Sequence, residues 1–283
     1  MTTEPQSYVA TIDGVRSYLC GPDIGPTPSS YDFDLYAEIH MRKGKKMIEL
    51  IAMLTHNDKT VDNARQVFAQ SVDAPTQHWG FKDTGLSSPE LALLARDMKD
   101  AGKTVHFESL EEDEPRCVAA AQFAIDNGLD FLIGMAFHPS VAKLLAEASV
   151  SYLPTCGGRS GIPRMLHGSV ADIVGDATRI RPQVDGVALS LYRWTDGDPG
   201  LLGKAFIEEV KSPVVVTGSI NSTERMDEIA RLSPWGITVG SALFDDAFGV
   251  GSFAAGLGWM RDYFDRASAG TSAATAVPGV LAK

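Results

Sequence analysis

Cysteine is scarce in this chain, with three among 283 residues, at Cys20, Cys117 and Cys156. No two form a Cys-x-x-Cys pair, so neither a disulfide framework nor a cysteine metal centre organises the fold, and a reducing cytoplasm is the expected compartment. Basic charge is also short: Lys+Arg 25 stands against Asp+Glu 36, a net charge of −11. Its one basic cluster, residues 42–46 (Arg-Lys-Gly-Lys-Lys), reads as a solvated turn before a strand. That balance excludes nucleic acid as a main partner. No apolar run approaches the length needed to span a bilayer, and the first residues lack the charged and apolar regions of a signal peptide. A soluble protein with no membrane partner is expected. His-x-His and His-Glu-x-x-His spacings are absent as well. No metal ligand is therefore assigned and no cofactor is expected, although His56, His78, His106, His138 and His167 lie near strand or loop ends, where two of them with Glu108 leave a divalent metal open.

What the chain does have is a rhythm. From residue 46 onward, short β-branched or apolar runs alternate with helix-period segments, the mark of βα units on a parallel sheet. The strand candidates are 47–54, 76–82, 104–108, 130–134, 149–154, 185–190, 213–217 and 235–239. Eight such units closing on each other make a (β/α)8 barrel, which fits a chain of this length. Helix punctuation recurs at the right period: glycines at 102 and 128 suit left-handed C-caps, and residues 88–90 (Ser-Pro-Glu) suit a cap with a first-turn proline. The barrel is assigned to residues 46–267. Residues 1–45, rich in Gly, Pro and Ser around 21–30, form an N-terminal extension expected to serve as a lid, a subunit contact or a cover for the barrel bottom. Residues 268–283 read as a flexible tail.

Two of the strands end alike. Residues 214–220 (Val-Val-Val-Thr-Gly-Ser-Ile) and 236–242 (Gly-Ile-Thr-Val-Gly-Ser-Ala) each run into Gly-Ser, one helical segment apart. In a parallel barrel this sets Gly218, Ser219, Gly240 and Ser241 side by side at the carboxyl ends of neighbouring strands. A phosphate needs several donors converging on one point. Glycine lets the main chain come close, and serine adds a hydroxyl. The plainer alternative is that both pairs are ordinary strand-to-helix turns.

Alternation along the strands sorts the remaining polar groups. On 104–108, Val105 and Phe107 suit the helix-packed outside, so His106 and Glu108 point into the lumen. The same parity sends Trp79 and Phe81 outward and His78, Gly80 and Lys82 inward. Lys82 and Glu108 then stand at the ends of adjacent strands, as candidate catalytic electrophile and base. A structural salt bridge plugging the barrel mouth is the competing reading, and a Lys82 of lowered pKa would permit a Schiff base. Asn57, Arg193, Arg159 and His106 are candidate substrate contacts. Asn57 or Asp58 alternatively caps a helix beginning near residue 60, and the cap is the role expected of Asp58. Residues 153–163 read as a glycine-bearing loop able to close over a ligand, carrying Arg159 and Ser160. Cys156 on that loop has no histidine placed beside it and reads as a half-buried thiol.

Residues 217–221 (Thr-Gly-Ser-Ile-Asn) and 239–244 (Val-Gly-Ser-Ala-Leu-Phe), with the βα rhythm over 46 to about 265, resemble the phosphate-binding class of (β/α)8 barrels. That class includes triosephosphate isomerase, histidine- and tryptophan-pathway barrels and sugar-phosphate epimerases. The resemblance implies a ligand phosphate at Gly218, Ser219, Gly240 and Ser241, and leaves the reaction open. There is no Pro-Val-Trp glutamate, no paired-aspartate signature, no full Asp-x-Lys-x-x-Asp pattern around Lys82 and no aldolase lysine between Val187 and Trp194. The expected activity is proton abstraction beside a carbonyl on a small phosphorylated sugar or keto acid, by an isomerase, epimerase, lyase or aldolase. A non-catalytic phosphometabolite-sensing barrel and a Lys82 Schiff-base aldolase or decarboxylase are the alternatives. Homo-oligomers are expected, as in many barrels of this kind.

Overall fold

The computed structural model describes residues 47–269 except Ile162, together with two short antiparallel backbone pairs, Val9–Ile12 with Val15–Tyr18 and Met41–Arg42 with Lys45–Lys46. The assigned roles of the N-terminal extension, the tail beyond 269 and Cys20 lie outside the described residues.

Eight parallel strands form the centre: β1 (Glu49–Met53), β2 (His78–Lys82), β3 (Thr104–Glu108), β4 (Phe131–Ile133), β5 (Ser151–Leu153), β6 (Val187–Leu189), β7 (Val214–Val216) and β8 (Gly236–Val239). Their hydrogen-bonded order is β5-β4-β3-β2-β1-β8-β7-β6. The remaining seam, between β5 and β6, is bridged by Ala188 N–H donating to Pro154 O at 2.8 Å and by a parallel bridge from Thr155 to Ala188. The chain is therefore a (β/α)8 barrel, with every strand of the sequence rhythm in its place.

Helices α1 (Ala64–Ser71), α2 (Ser88–Asp100), α3 (Glu114–Asp126), α4 (Pro139–Ala146), α5 (Val170–Ile180), α6 (Pro199–Val210), α7 (Thr223–Leu232) and α8 (Phe253–Ser268) alternate with the strands. Their starts follow local chemistry. Ser87 and Glu90 form a reciprocal capping box, so the N-cap is Ser87, one residue before the serine expected from sequence. Ser222 caps α7 by accepting from Arg225 N.

The core has two layers. Ile51, Met53, Phe131, Ile133, Leu153, Val215 and Trp235 fill the lumen. Trp79 and Phe81 face outward to the helices, Trp79 meeting Phe68 of α1 edge-on at 5.0 Å. Each such fully buried aromatic contributes roughly 1.5–3 kcal/mol relative to exposure.

Low in the lumen, His78 Nδ1 and His106 Nε2 share a 2.8 Å hydrogen bond, and His106 stacks on Phe131 at 4.3 Å. Glu49, an unexpected carboxylate for a barrel interior, lies 3.7 Å from His78 Nε2. His106 is fully buried in this layer, two residues below Glu108 on the same strand face, and does not line the pocket. It therefore leaves the set of substrate contacts expected from sequence: parity aimed it inward correctly, but depth along the strand put it in the packed core.

Candidate active site

At the carboxyl ends of the strands opens a cavity of about 710 Å³. Its wall brings together Asn57, Lys82, Glu108, Arg159, Arg193, Gly218, Ser219, Gly240 and Ser241, every sequence candidate except His106.

Lys82 and Glu108 close β2 and β3 in direct register, and Lys82 Nζ lies 3.2 Å from Glu108 Oε1. A second carboxylate, Asp58, is nearer at 2.7 Å. Asp58 also takes a bidentate pair from Arg193, with Nη2 at 2.9 Å from Oδ1 and Nη1 at 3.0 Å from Oδ2. Burial opposes the Asp58 charge, but the guanidinium and ammonium outweigh it and hold the carboxyl down to about 2. Burial likewise works against the Lys82 ammonium, and Glu108 and Asp58 overcome it, so its pKa is raised. Lys82 is thus a firmly protonated cation with its side chain 6 % exposed.

Asp58 does not cap a helix. Asn57 (φ 50°) and Asp58 (φ 62°) form the two-residue turn of a hairpin, Thr55–His56 with Lys59–Thr60, and α1 begins later, after Asn63. Positive φ at both central positions is the mirror-image turn that strand twist favours, and Asn and Asp tolerate it. The hairpin is fastened at its base: Thr60 Oγ1 donates to Lys82 O and accepts from Lys82 N–H, both at 2.8 Å. It is fastened at its tip by Asn57 N–H donating to Ser241 Oγ at 3.1 Å, and at its side by His56 Nε2, 2.8 Å from Asp245 Oδ1. These contacts deliver Asp58 to Lys82. The signal that finds it in the sequence is the Asn-Asp pair between Thr-His and Lys-Thr, which is a hairpin pattern.

The two Gly-Ser turns follow β7 and β8. Gly218 has φ +76°, and a Cβ there would sit 2.9 Å from Arg193 Nε, so the glycine lets the guanidinium lie against the main chain. Ser219 also has positive φ, at 61°, and its carbonyl accepts from Arg225 Nη1. Gly240 is needed for close approach: a Cβ would lie 2.6 Å from Thr55 O. Ser241 opens a one-turn helix, Ser241–Phe244, whose first N–H groups have no partner within the helix. Thr217 and Ser190, their hydroxyls 3.0 Å apart, complete this side of the wall.

Within the loop expected at 153–163, Gly158–Ser160 forms an antiparallel pair with Met165–His167. Arg159 on it is 5 % exposed in its side chain and donates through Nη1 to Gly134 O at 2.6 Å. Ser160 Oγ and His167 Nε2 lie 2.8 Å apart across the pair. Cys156 is fully buried, and burial pushes its thiol far above the ordinary range, which removes it as a nucleophile. The five histidines do not converge: among the described residues no group of three or more His, Cys, Asp or Glu side chains is placed to hold a metal ion. Nor is any described helix long and apolar enough to cross a membrane.

No protein-family model and no curated protein sequence matches the chain. Solved structures do. The tryptophan synthase alpha chain of Legionella pneumophila subsp. pneumophila aligns over 82 % of this chain and 97 % of its own, with a TM-score of 0.57 at 15 % identity. A native KDPGal structure aligns over 79 % and 95 %, with a TM-score of 0.52 at 13 % identity. An Aquifex aeolicus VF5 structure covers 84 % and 97 % at 0.52 and 12 %. Likeness at these identities is a likeness of architecture, and together with the eight-stranded ring it establishes the (β/α)8 barrel.

Proposed function

We propose that the chain is an enzyme that removes a proton beside a carbonyl of a small phosphorylated metabolite, as an isomerase or a carbon–carbon lyase. The observation that carries this reading is the Asp58–Lys82–Glu108 arrangement at the floor of the cavity, with the two Gly-Ser turns on one wall. Glu108 is the base: its carboxylate takes the proton from carbon while the C–H electron pair moves into the carbonyl. Lys82 donates a hydrogen bond to the oxygen that becomes the enolate, where a fixed cation in a partly enclosed site is worth more than in water. In an isomerase Glu108 then returns the proton to the former carbonyl carbon while the hydroxyl proton of the first carbon passes to the enolate oxygen, leaving the carbonyl one carbon along. In a lyase Glu108 instead takes the proton of the hydroxyl β to the carbonyl, a new carbonyl forms there as the C–C electron pair moves into the Lys82-bound carbonyl, and Glu108 returns the proton to the carbon of the released enolate.

Asp58 is the positioning residue, holding the ammonium between two carboxylates and Arg193 across the mouth. Two carboxylates around Lys82 support the role of electrophile over imine formation, which requires a neutral amine. The phosphate is assigned to the N–H groups and hydroxyls of Gly218, Ser219, Gly240 and Ser241, with Asn57 and Arg193 beside it. The tryptophan synthase alpha and KDPGal likenesses agree with a barrel enzyme and do not select the substrate.

The test is turnover of a panel of phosphorylated aldoses, ketoses and keto acids by the wild type, Glu108→Gln and Lys82→Met. Loss of activity in both variants with the circular dichroism spectrum retained supports the assignment. Full activity in either one removes it.

A further inference from the structure

Charge around the cavity is unevenly matched. Lys82, Arg193, Asp58 and Glu108 contact one another as two cations and two anions and leave no surplus. The opposite rim differs. Arg159 Nε and Arg164 Nη1 both line up on a single carboxylate oxygen, Glu112 Oε1, each at 3.6 Å, longer than a hydrogen bond. Two guanidiniums thus share one loosely held carboxylate, a local excess of one positive charge on this rim, since the remaining carboxylate of the cavity wall, Asp245, stands beyond β8 against His56. Arg159 carries it in a side chain 5 % exposed, with Glu108 as the other nearby carboxylate, already engaged by Lys82. A buried guanidinium with so little direct compensation is costly unless a further anion completes it.

Where that cation sits matters as much. Arg159 is fixed to Gly134 O, directly after β4. The Gly-Ser turns follow β7 and β8. In the ring β5-β4-β3-β2-β1-β8-β7-β6, strands β4 and β8 stand opposite each other. A barrel of eight strands is about 15 Å across from backbone to backbone, and side chains narrow it from both sides. Lys82 and Glu108 lie on β2 and β3, between the two poles along one arc.

We infer that the ligand is anionic at both ends: a phosphate at the Gly-Ser turns and a carboxylate at Arg159, with the reacting carbonyl between them above Lys82 and Glu108. This rests on the phosphate reading above and narrows it from phosphorylated sugars to phosphorylated keto or hydroxy acids. A carboxylate suits the Arg159 pole because a planar guanidinium meets it edge to edge and one surplus charge matches one negative charge.

Calorimetric titration of the full chain with two matched sets tests the inference. The six-carbon set is 6-phosphogluconate, glucitol 6-phosphate and gluconate; the three-carbon set is 3-phosphoglycerate, glycerol 3-phosphate and glycerate. In at least one set the doubly anionic member binds tenfold or more tightly than both singly anionic ones. Arg159→Gln removes that advantage and leaves the phosphate-only compound within twofold of wild type, while Arg159→Lys restores part of it.

If the phosphate-only compound matches the doubly anionic one in both sets, the carboxylate pole is wrong and the phosphate reading stands. If the carboxylate-only compound matches it, the phosphate reading falls and the two-ended ligand with it. Equal weakening of both phosphorylated compounds by Arg159→Gln overturns the assignment of Arg159 to the carboxylate, and no binding by any member overturns both readings. Should Arg159→Gln fail to fold, the wild-type comparison decides alone.

Discussion

Replacing Asp58 by asparagine keeps the size of the side chain and the hairpin turn but removes the charge that Arg193 and Lys82 share. The carboxyl is held near 2 against an ordinary 3.8. A depression of that size corresponds to about 2 kcal/mol of folding stability at neutral pH, and to between 1 and 2 kcal/mol once solvent at the open rim is allowed for. The sign follows from the direction of the shift. A lowered carboxylate pKa stabilises the fold above the unfolded value of 3.8, and that contribution is lost as pH falls through the folded value near 2. Asp58→Asn should therefore lower the midpoint of thermal unfolding at pH 7 by roughly 2–8 °C for a domain of this size. Urea unfolding at pH 7, 4 and 2.5 should show the gap between variant and wild type nearly constant from 7 to 4 and shrinking below. In the double variant with Arg193→Gln, the second change should cost less than it does alone, because the pair is one unit. A variant as stable as wild type at pH 7, or a gap that ignores pH between 4 and 2.5, would refute this account of Asp58.

Further consequences follow from the same geometry. Glu108→Gln and Lys82→Met should each lower kcat on any turned-over substrate by about 10²–10⁴-fold, measured in steady state, with the fold intact by circular dichroism. Gly240→Ala forces a Cβ against Thr55 O and should cost about 1–3 kcal/mol by urea unfolding while weakening inorganic phosphate binding. Burial and the neighbouring His78 hold the His106 pKa well below 6.5, so the stability of its neutral form is present above that value and lost as pH falls. His106→Phe should flatten the fall in unfolding midpoint between pH 7.5 and 5, and an unchanged slope would show that the histidine pair does not set it.

The barrel was legible because its signals are repetitive and local: β-branched or apolar runs recur eight times, first-turn prolines open four of the helices between them, and parity along β2 and β3 separates Trp79, Phe81 and Phe107 from Lys82 and Glu108. Depth was not legible. Parity says which face His106 is on, but only the closed ring shows that Phe131 and Trp235 fill the lumen at its level. Asp58 was misread because its neighbours suit a helix cap as well as a turn, and the choice is made by Lys82 and Ser241, distant partners that fasten the hairpin. In the 153–163 segment, read as a loop able to close over a ligand, the short strand Gly158–Ser160 was missed because its partner, Met165–His167, lies just beyond the segment.

The central claim is that Glu108 and Lys82 form an enolate from a bound phosphorylated carbonyl compound. Isomerase and lyase chemistry alike pass through that species, so proton exchange with solvent reports it without knowledge of the product. The direct measurement is NMR of phosphorylated ketoses and keto acids incubated with the protein in deuterium oxide. The account predicts deuterium appearing at the carbon beside the carbonyl of at least one compound with wild type, and none with Glu108→Gln. Binding of these compounds without exchange by wild type, or equal exchange by Glu108→Gln, would contradict it.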